Sequence, residues 1–162
     1  MRTIWYTGVT AVLSLLIASS TCAGPTTYYM MPQAAQLGKD TSVILVGNRL
    51  QHIEQVLFFD EGITLVDWEP VEEIRHNHYT KMEPAPEGAA VKLTFRVTED
   101  CRLGKHYFRI RTDETISEIQ SLWISPYPCV EESNPFHDNE ASNGEFETAQ
   151  AIEIGTTVYG YS

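Results

Sequence analysis

Residues 36–60 read QLGKDTSVILVGNRLQHIEQVLFFD, and this stretch decides the fold class. It holds two apolar runs joined by a polar corner. In the first, Thr41, Val43 and Leu45 alternate with Ser42, Ile44 and Val46. Both parities are largely apolar, so periodicity alone leaves a buried strand and a short buried helix equally open. The run is short and rich in β-branched residues, which favours strand. Gly38 precedes it and Gly47-Asn48 follows, residue types that tolerate a positive φ. The second run, Val56-Leu57-Phe58-Phe59, stops at Asp60-Glu61-Gly62, and the chain resumes as Ile63-Thr64-Leu65-Val66. Short apolar runs with turn residues between them predict an all-β chain.

The alternation continues downstream. Val91, Leu93, Phe95 and Val97 share one parity, with Lys92, Thr94, Arg96 and Thr98 on the other. That is the pattern of a half-buried antiparallel strand. Strands are also predicted over 105–111 and 116–125, with Thr112-Asp113-Glu114-Thr115 as their turn. In the last of these, Trp123 is read as a core residue. About seven short strands at this spacing predict an immunoglobulin-like antiparallel β-sandwich.

The pattern Gly38…Val43-Ile44-Leu45-Val46-Gly47-Asn48-Arg49-Leu50, followed by Val56-Leu57-Phe58, resembles the opening of IPT/TIG-type immunoglobulin-like domains. Asp100-Cys101-Arg102-Leu103-Gly104-Lys105-His106, Arg109 to Thr112, Ile116-Ser117-Glu118, Trp123-Ile124 and Pro126 are similar to the same group. Further on, Phe146-Glu147-Thr148-Ala149-Gln150-Ala151-Ile152 and Thr157-Val158-Tyr159-Gly160 resemble the start of a pre-peptidase C-terminal (PPC) domain. Together these imply a bacterial exported protein in which non-catalytic modules accompany other domains, sometimes peptidases.

The organisation expected is a signal peptide over 1–23, a short N-terminal extension over 24–31 and the sandwich over 32–130. An acidic linker over 131–145 and the truncated start of a PPC-like domain over 146–162 follow. Arg2, the apolar run 9–18 and Thr21-Cys22-Ala23 carry the signal-peptide reading. A lipoprotein modified at Cys22 is the alternative. With no second apolar span, no membrane crossing is expected after cleavage, and the location is periplasmic, cell-surface or secreted. The chain has 22 acidic and 11 basic residues, for a net charge of −11. This acidity argues against nucleic acid and anionic lipid as partners.

Cleavage leaves two cysteines, Cys101 and Cys129. They lie nearly equidistant from the 112–115 turn, so a hairpin brings them to one end. Both a disulfide and two independent buried thiols fit this placement. His76 and His78 have the spacing of a metal grip, near Glu72, Glu73 and Glu83, but solvated loop histidines give the same pattern. The linker carboxylates leave Ca²⁺ open without matching an EF-hand loop; otherwise no cofactor is expected. Trp68, Tyr79 and Trp123 are the candidates for an aromatic ledge. No G-x-S-x-G elbow or phosphate-binding glycine loop occurs, and the adjacent carboxylates Asp60-Glu61 and Glu72-Glu73 diverge on a strand. No catalytic residue is therefore assigned. The function expected is a spacer or binding module for a protein, a glycan or neighbouring domains. The alternative is the accessory region of a secreted hydrolase whose catalytic part lies elsewhere.

Overall fold

The computed structural model describes residues 24–75, 82–84, 87–132 and 146–160. Twelve strands follow in order. They are β1 (Thr26–Met31), β2 (Ala34–Gln36), β3 (Asp40–Asn48), β4 (Ile53–Phe58), β5 (Ile63–Pro70), β6 (Glu73–Arg75) and β7 (Met82–Pro84), then β8 (Ala90–Val97), β9 (Gly104–Thr112), β10 (Gln120–Ser125), β11 (Cys129–Glu131) and β12 (Thr157–Tyr159). One sheet has the order β1-β3-β8-β5 and the other β2-β10-β9-β4. The chain crosses between sheets from β3 to β4 and from β8 to β9, so each sheet contributes an inner face to one core. This is an immunoglobulin-like β-sandwich. It is antiparallel except where β2 joins β10 and where β11 joins β12, both parallel.

Strand alternation fills the core. Val91, Leu93, Phe95 and Val97 of β8 are all buried, as their parity predicts. Facing them are Val56 of β4, Phe108 and Ile110 of β9, and Leu122 and Ile124 of β10. Three rings lock the centre. Phe58 lies 5.2 Å from both Phe95 and Phe108, and Phe95 meets Phe108 at 5.7 Å. Phe95 belongs to one sheet and Phe58 and Phe108 to the other, so edge-on contacts tie the layers together.

Several elements differ from the sequence reading, each for a physical reason. Residues 24–31, read as an extension, supply β1, which pairs antiparallel with β3. Gly47 does not end its strand. It lies inside β3 because Thr26 O occupies the space a Cβ would need. The left-handed turn falls to Arg49 (φ 57°) and His52 (φ 61°). β10 starts at Gln120, after a single bridge between Arg111 and Ile116. Between β5 and β8, β6 and β7 pair antiparallel, and Ile74 of β6 joins a small buried cluster with Val46 and Ala90. The expected signal peptide, His76, His78, Tyr79 and residues 133–145 lie outside the described residues.

The cysteines also differ from one of their two readings: both are free. The β9–β10 ladder ends with Gly104 opposite Ile124. Carried further, its register would set Cys129 opposite Glu99, two places from Cys101. Instead Cys101 turns into the core beneath Gly62. Gly62 has φ 93°, and a Cβ there would lie 2.8 Å from the Cβ of Cys101. Cys129 leaves the sheet to pair with Thr157.

Phe95→Ala is expected to cost about 3–5 kcal/mol of stability, measured by urea unfolding. A cost under about 1 kcal/mol would mean the three rings are not tightly packed.

Candidate binding face

The two outer faces of the sandwich are chemically unlike. On the β1-β3-β8-β5 sheet, cross-strand partners satisfy one another. Arg96 donates from Nε and Nη2 to the two carboxylate oxygens of Asp40, at 3.1 and 3.0 Å. Lys92 Nζ donates to Glu69 Oε1 at 2.8 Å, and the hydroxyls of Ser42 and Thr94 share a hydrogen bond of 3.0 Å. The Arg96 hydrogen bond holds the Asp40 carboxyl below its usual range. Such exposed pairs add little stability, but they leave little unmatched charge for a partner.

On the β2-β10-β9-β4 sheet, β9 directs His106, Phe108 and Ile110 into the core and Lys105, Tyr107, Arg109 and Arg111 outward. Register then places neighbours on the same outer face. Lys105 stands opposite Trp123, Tyr107 opposite Ser121, and Arg109 opposite Leu57. Phe59 N–H donates to Tyr107 O at 3.0 Å, so Phe59 follows beside Tyr107. Trp123, Tyr107 and Phe59 form a line across β10, β9 and the end of β4, with exposures of 50%, 45% and 62%. Exposed Leu103 and Ile119 lie at its margins. Lys105 Nζ is 6.0 Å from the centre of the Tyr107 ring, within cation–π range. Arg109 donates to Ser117 O at 3.3 Å, and Arg111 is engaged by Glu54 Oε2 at 2.9 Å. Among the described residues, no carboxylate pairs with Lys105 or Arg109. The result is an aromatic surface on which, among the described residues, Lys105 and Arg109 have no carboxylate partner, on a chain with twice as many acids as bases.

Only part of this face is legible in the sequence. Trp123, read as core, is exposed because Leu122 and Ile124 take the inward parity of β10. Trp68 is partly buried against the core from β5, in the other sheet, so it shares no ledge with Trp123. The signal that finds the face is the alternation of Lys105, Tyr107, Arg109 and Arg111 with buried partners.

A second cluster resembles catalytic machinery but cannot act as such. His106 is fully buried, with Nε2 3.8 Å from Cys101 Sγ and Nδ1 3.3 Å from Asp60 Oδ2. Nε2 is already taken up by Arg102 O at 2.6 Å. A ring N–H donating to that carbonyl has no lone pair with which to take a thiol proton. Nδ1 lies close to Asp60 without the alignment of a hydrogen bond. Burial pushes the Cys101 thiol up, and the Cys129 thiol likewise, away from the reactive thiolate. The group works as a core fastening: Arg102 also reaches Asp60 at 3.1 Å and Lys105 O at 3.0 Å, clamping the loop ahead of β9. Among the described residues, no three His, Cys, Asp or Glu side chains are placed to hold a metal ion. No helix among them is long and apolar enough to cross a membrane.

Neither family models nor curated protein sequences match the chain. Among solved structures, it is similar to SGBP-B of the Bacteroides ovatus mixed-linkage glucan utilization locus, solved with a mixed-linkage heptasaccharide. That match has 13% identity and a TM-score of 0.42 over 67% of this chain and 24% of the other, so it spans about a quarter of SGBP-B. The chain is also similar to the seventh ScaB type I cohesin from Pseudobacteroides cellulosolvens, with 12% identity and a TM-score of 0.37 over 62% of this chain and 90% of that one.

Unfolded without reductant, the protein is expected to take up one thiol label at Cys101 and one at Cys129. In the folded state Cys129 should label at least about tenfold faster than buried Cys101. Intact-mass spectra showing no label would mean that the two are joined.

Proposed function

We propose that the chain is an exported, non-catalytic immunoglobulin-like module that docks a protein partner on the outer face of its β2-β10-β9-β4 sheet. The observation that carries this reading is the contrast between the two faces. One pairs Arg96 with Asp40 and Lys92 with Glu69 across its strands, whereas the other sets exposed Trp123, Tyr107 and Phe59 beside Lys105 and Arg109, which have no carboxylate partner among the described residues. Contiguous exposed apolar surface marks interaction sites. Aromatic residues with arginine are the residue types enriched in protein interfaces and their hot spots. The aliphatic Leu57, Leu103 and Ile119 extend the patch in a way that suits a protein better than a sugar ring.

Export rests on the signal-peptide pattern, and membership in a multidomain surface or secreted protein rests on the resemblance to IPT/TIG-type and PPC sequences. In that setting the sandwich also spaces its neighbours. A second reading, accessory region of a secreted hydrolase, is favoured by the PPC-like pattern in 146–160. It differs in what the partner is: a catalytic domain rather than a separate protein.

A photo-cross-linking amino acid placed at Tyr107 in the exported protein should give a discrete adduct, identifiable by mass spectrometry. The same group at Ser42, on the opposite sheet, should give none. Equal yields at both positions, or none at Tyr107, would overturn the assignment of the face.

A further inference from the structure

We infer that the free edge of β4 accepts an extended, alternately apolar segment of a partner protein as an added antiparallel strand. The site is the rim of the sheet and not its outer face, so it stands or falls independently of the docking face proposed above.

β4 ends the β2-β10-β9-β4 sheet, and among the described residues no strand lies on its far side. The ladder tells which backbone groups are left over. Phe59 N–H donates to Tyr107 O at 3.0 Å, and Phe58 stands opposite Phe108 in the same register. Opposed residues of an antiparallel ladder alternate between pairs that exchange hydrogen bonds and pairs that do not. Gln55, Leu57 and Phe59 therefore bond to β9, whereas Val56 and Phe58 turn their N–H and C=O groups to the open edge. Ile110, opposite Val56, agrees: it accepts from Ser117 N–H at 2.8 Å and donates to Ser117 Oγ at 2.9 Å, so its backbone is directed away from β4.

The other edges of the sandwich are guarded. Native sheets protect such rims with bulges, prolines, charges or brevity. β1 is bulged between Thr27 and Tyr29, and β5 between Leu65 and Asp67, with Pro70 at its end. β2 is only three residues long and follows closely on Pro32. β4 bulges only at its entry, between Ile53 and Gln55. From Gln55 to Phe58 it carries no charge, no proline and no further bulge. The carboxylates flanking this run are engaged, Glu54 by Arg111 and Asp60 by Arg102.

Beneath the rim lies apolar space. A cleft of about 480 Å³ opens between β4 and β5, lined in part by Val56, Phe58, Ile63 and Leu65. Val56 and Ile63 are buried, but Phe58 and Leu65 only partly so. A strand with apolar side chains at every second position meets both halves of this chemistry. Its main chain pairs with Val56 and Phe58, and its inward side chains cover what Phe58 and Leu65 still expose. A glycan supplies no such two-residue repeat of donors and acceptors.

The probe is a peptide of about nine residues that alternates valine with threonine and ends in lysine. It is added to the full chain while amide exchange is followed residue by residue by NMR. In the free protein the Val56 and Phe58 amides should exchange at least about tenfold faster than those of Leu57 and Phe59. Near saturation the peptide should slow these two amides at least about tenfold, with a Kd between about 10 µM and about 1 mM. N-methylation of the peptide's valines should abolish binding, because their N–H groups face β4 in the antiparallel ladder. N-methylation of its threonines should leave the Kd within about threefold. Leu65→Lys, which sets a charge in the cleft, should weaken binding at least about tenfold. No protection at about 1 mM peptide, or protection that survives methylation of the valines, would overturn the inference. Cross-linking at Tyr107 reads the outer face separately, so either result leaves that test intact.

Discussion

The contact on which the rest depends is the meeting of Phe58, Phe95 and Phe108 between the two sheets. A sandwich needs its inner faces brought within about 10 Å, and side chains must interdigitate to close that gap. Ring separations of 5.2–5.7 Å do so at the centre. Around them, Val91, Leu93 and Val97 from one sheet and Ile110, Leu122 and Ile124 from the other complete the layer. Once β9 commits Phe108 and Ile110 to this layer, alternation leaves no freedom for its other parity. Lys105, Tyr107, Arg109 and Arg111 must face outward. The candidate binding face is thus a consequence of the core.

The buried polar groups serve the same end. His106 occupies an inward position of β9 where an apolar residue would be expected. Its ring is fastened to Arg102 O, while Arg102 in turn holds Asp60 and the Lys105 carbonyl. These bonds fix the approach to β9, and with it the height at which Lys105 and Tyr107 emerge. Gly62 lets Cys101 close in over the same corner. A cluster with the composition of a nucleophilic centre is here a clamp, because the one nitrogen that would act as base is already engaged.

Much of this was legible in the sequence where alternation was clean. The inward parity of β8 follows from Val91, Leu93, Phe95 and Val97, and the strands after Gly38 and after Gly62 follow from turn chemistry. Less legible were features set by partners far away in the chain. Trp123 looks like core by hydrophobicity alone, and only the burial of Leu122 and Ile124 reverses its direction. Gly47 looks like a turn residue, but Thr26, about twenty positions earlier, is what demands it. The cysteines look equidistant from a turn, but the register of β9 on β10 misses by two residues, and the chain leaves the sheet after Ser125. In each case the deciding contact is long-range, and no local pattern reports it.

One sheet face pairs Arg96 with Asp40 and Lys92 with Glu69, and the other presents the aromatic line that we propose docks a partner. The most direct measurement of that claim is the thermal midpoint of a Tyr107→Ser, Trp123→Ser double variant. If the open face serves docking, removing two exposed aromatics should shift the midpoint by no more than about 3 °C. A fall of about 10 °C or more would mean that these rings hold the fold together, and would contradict the account.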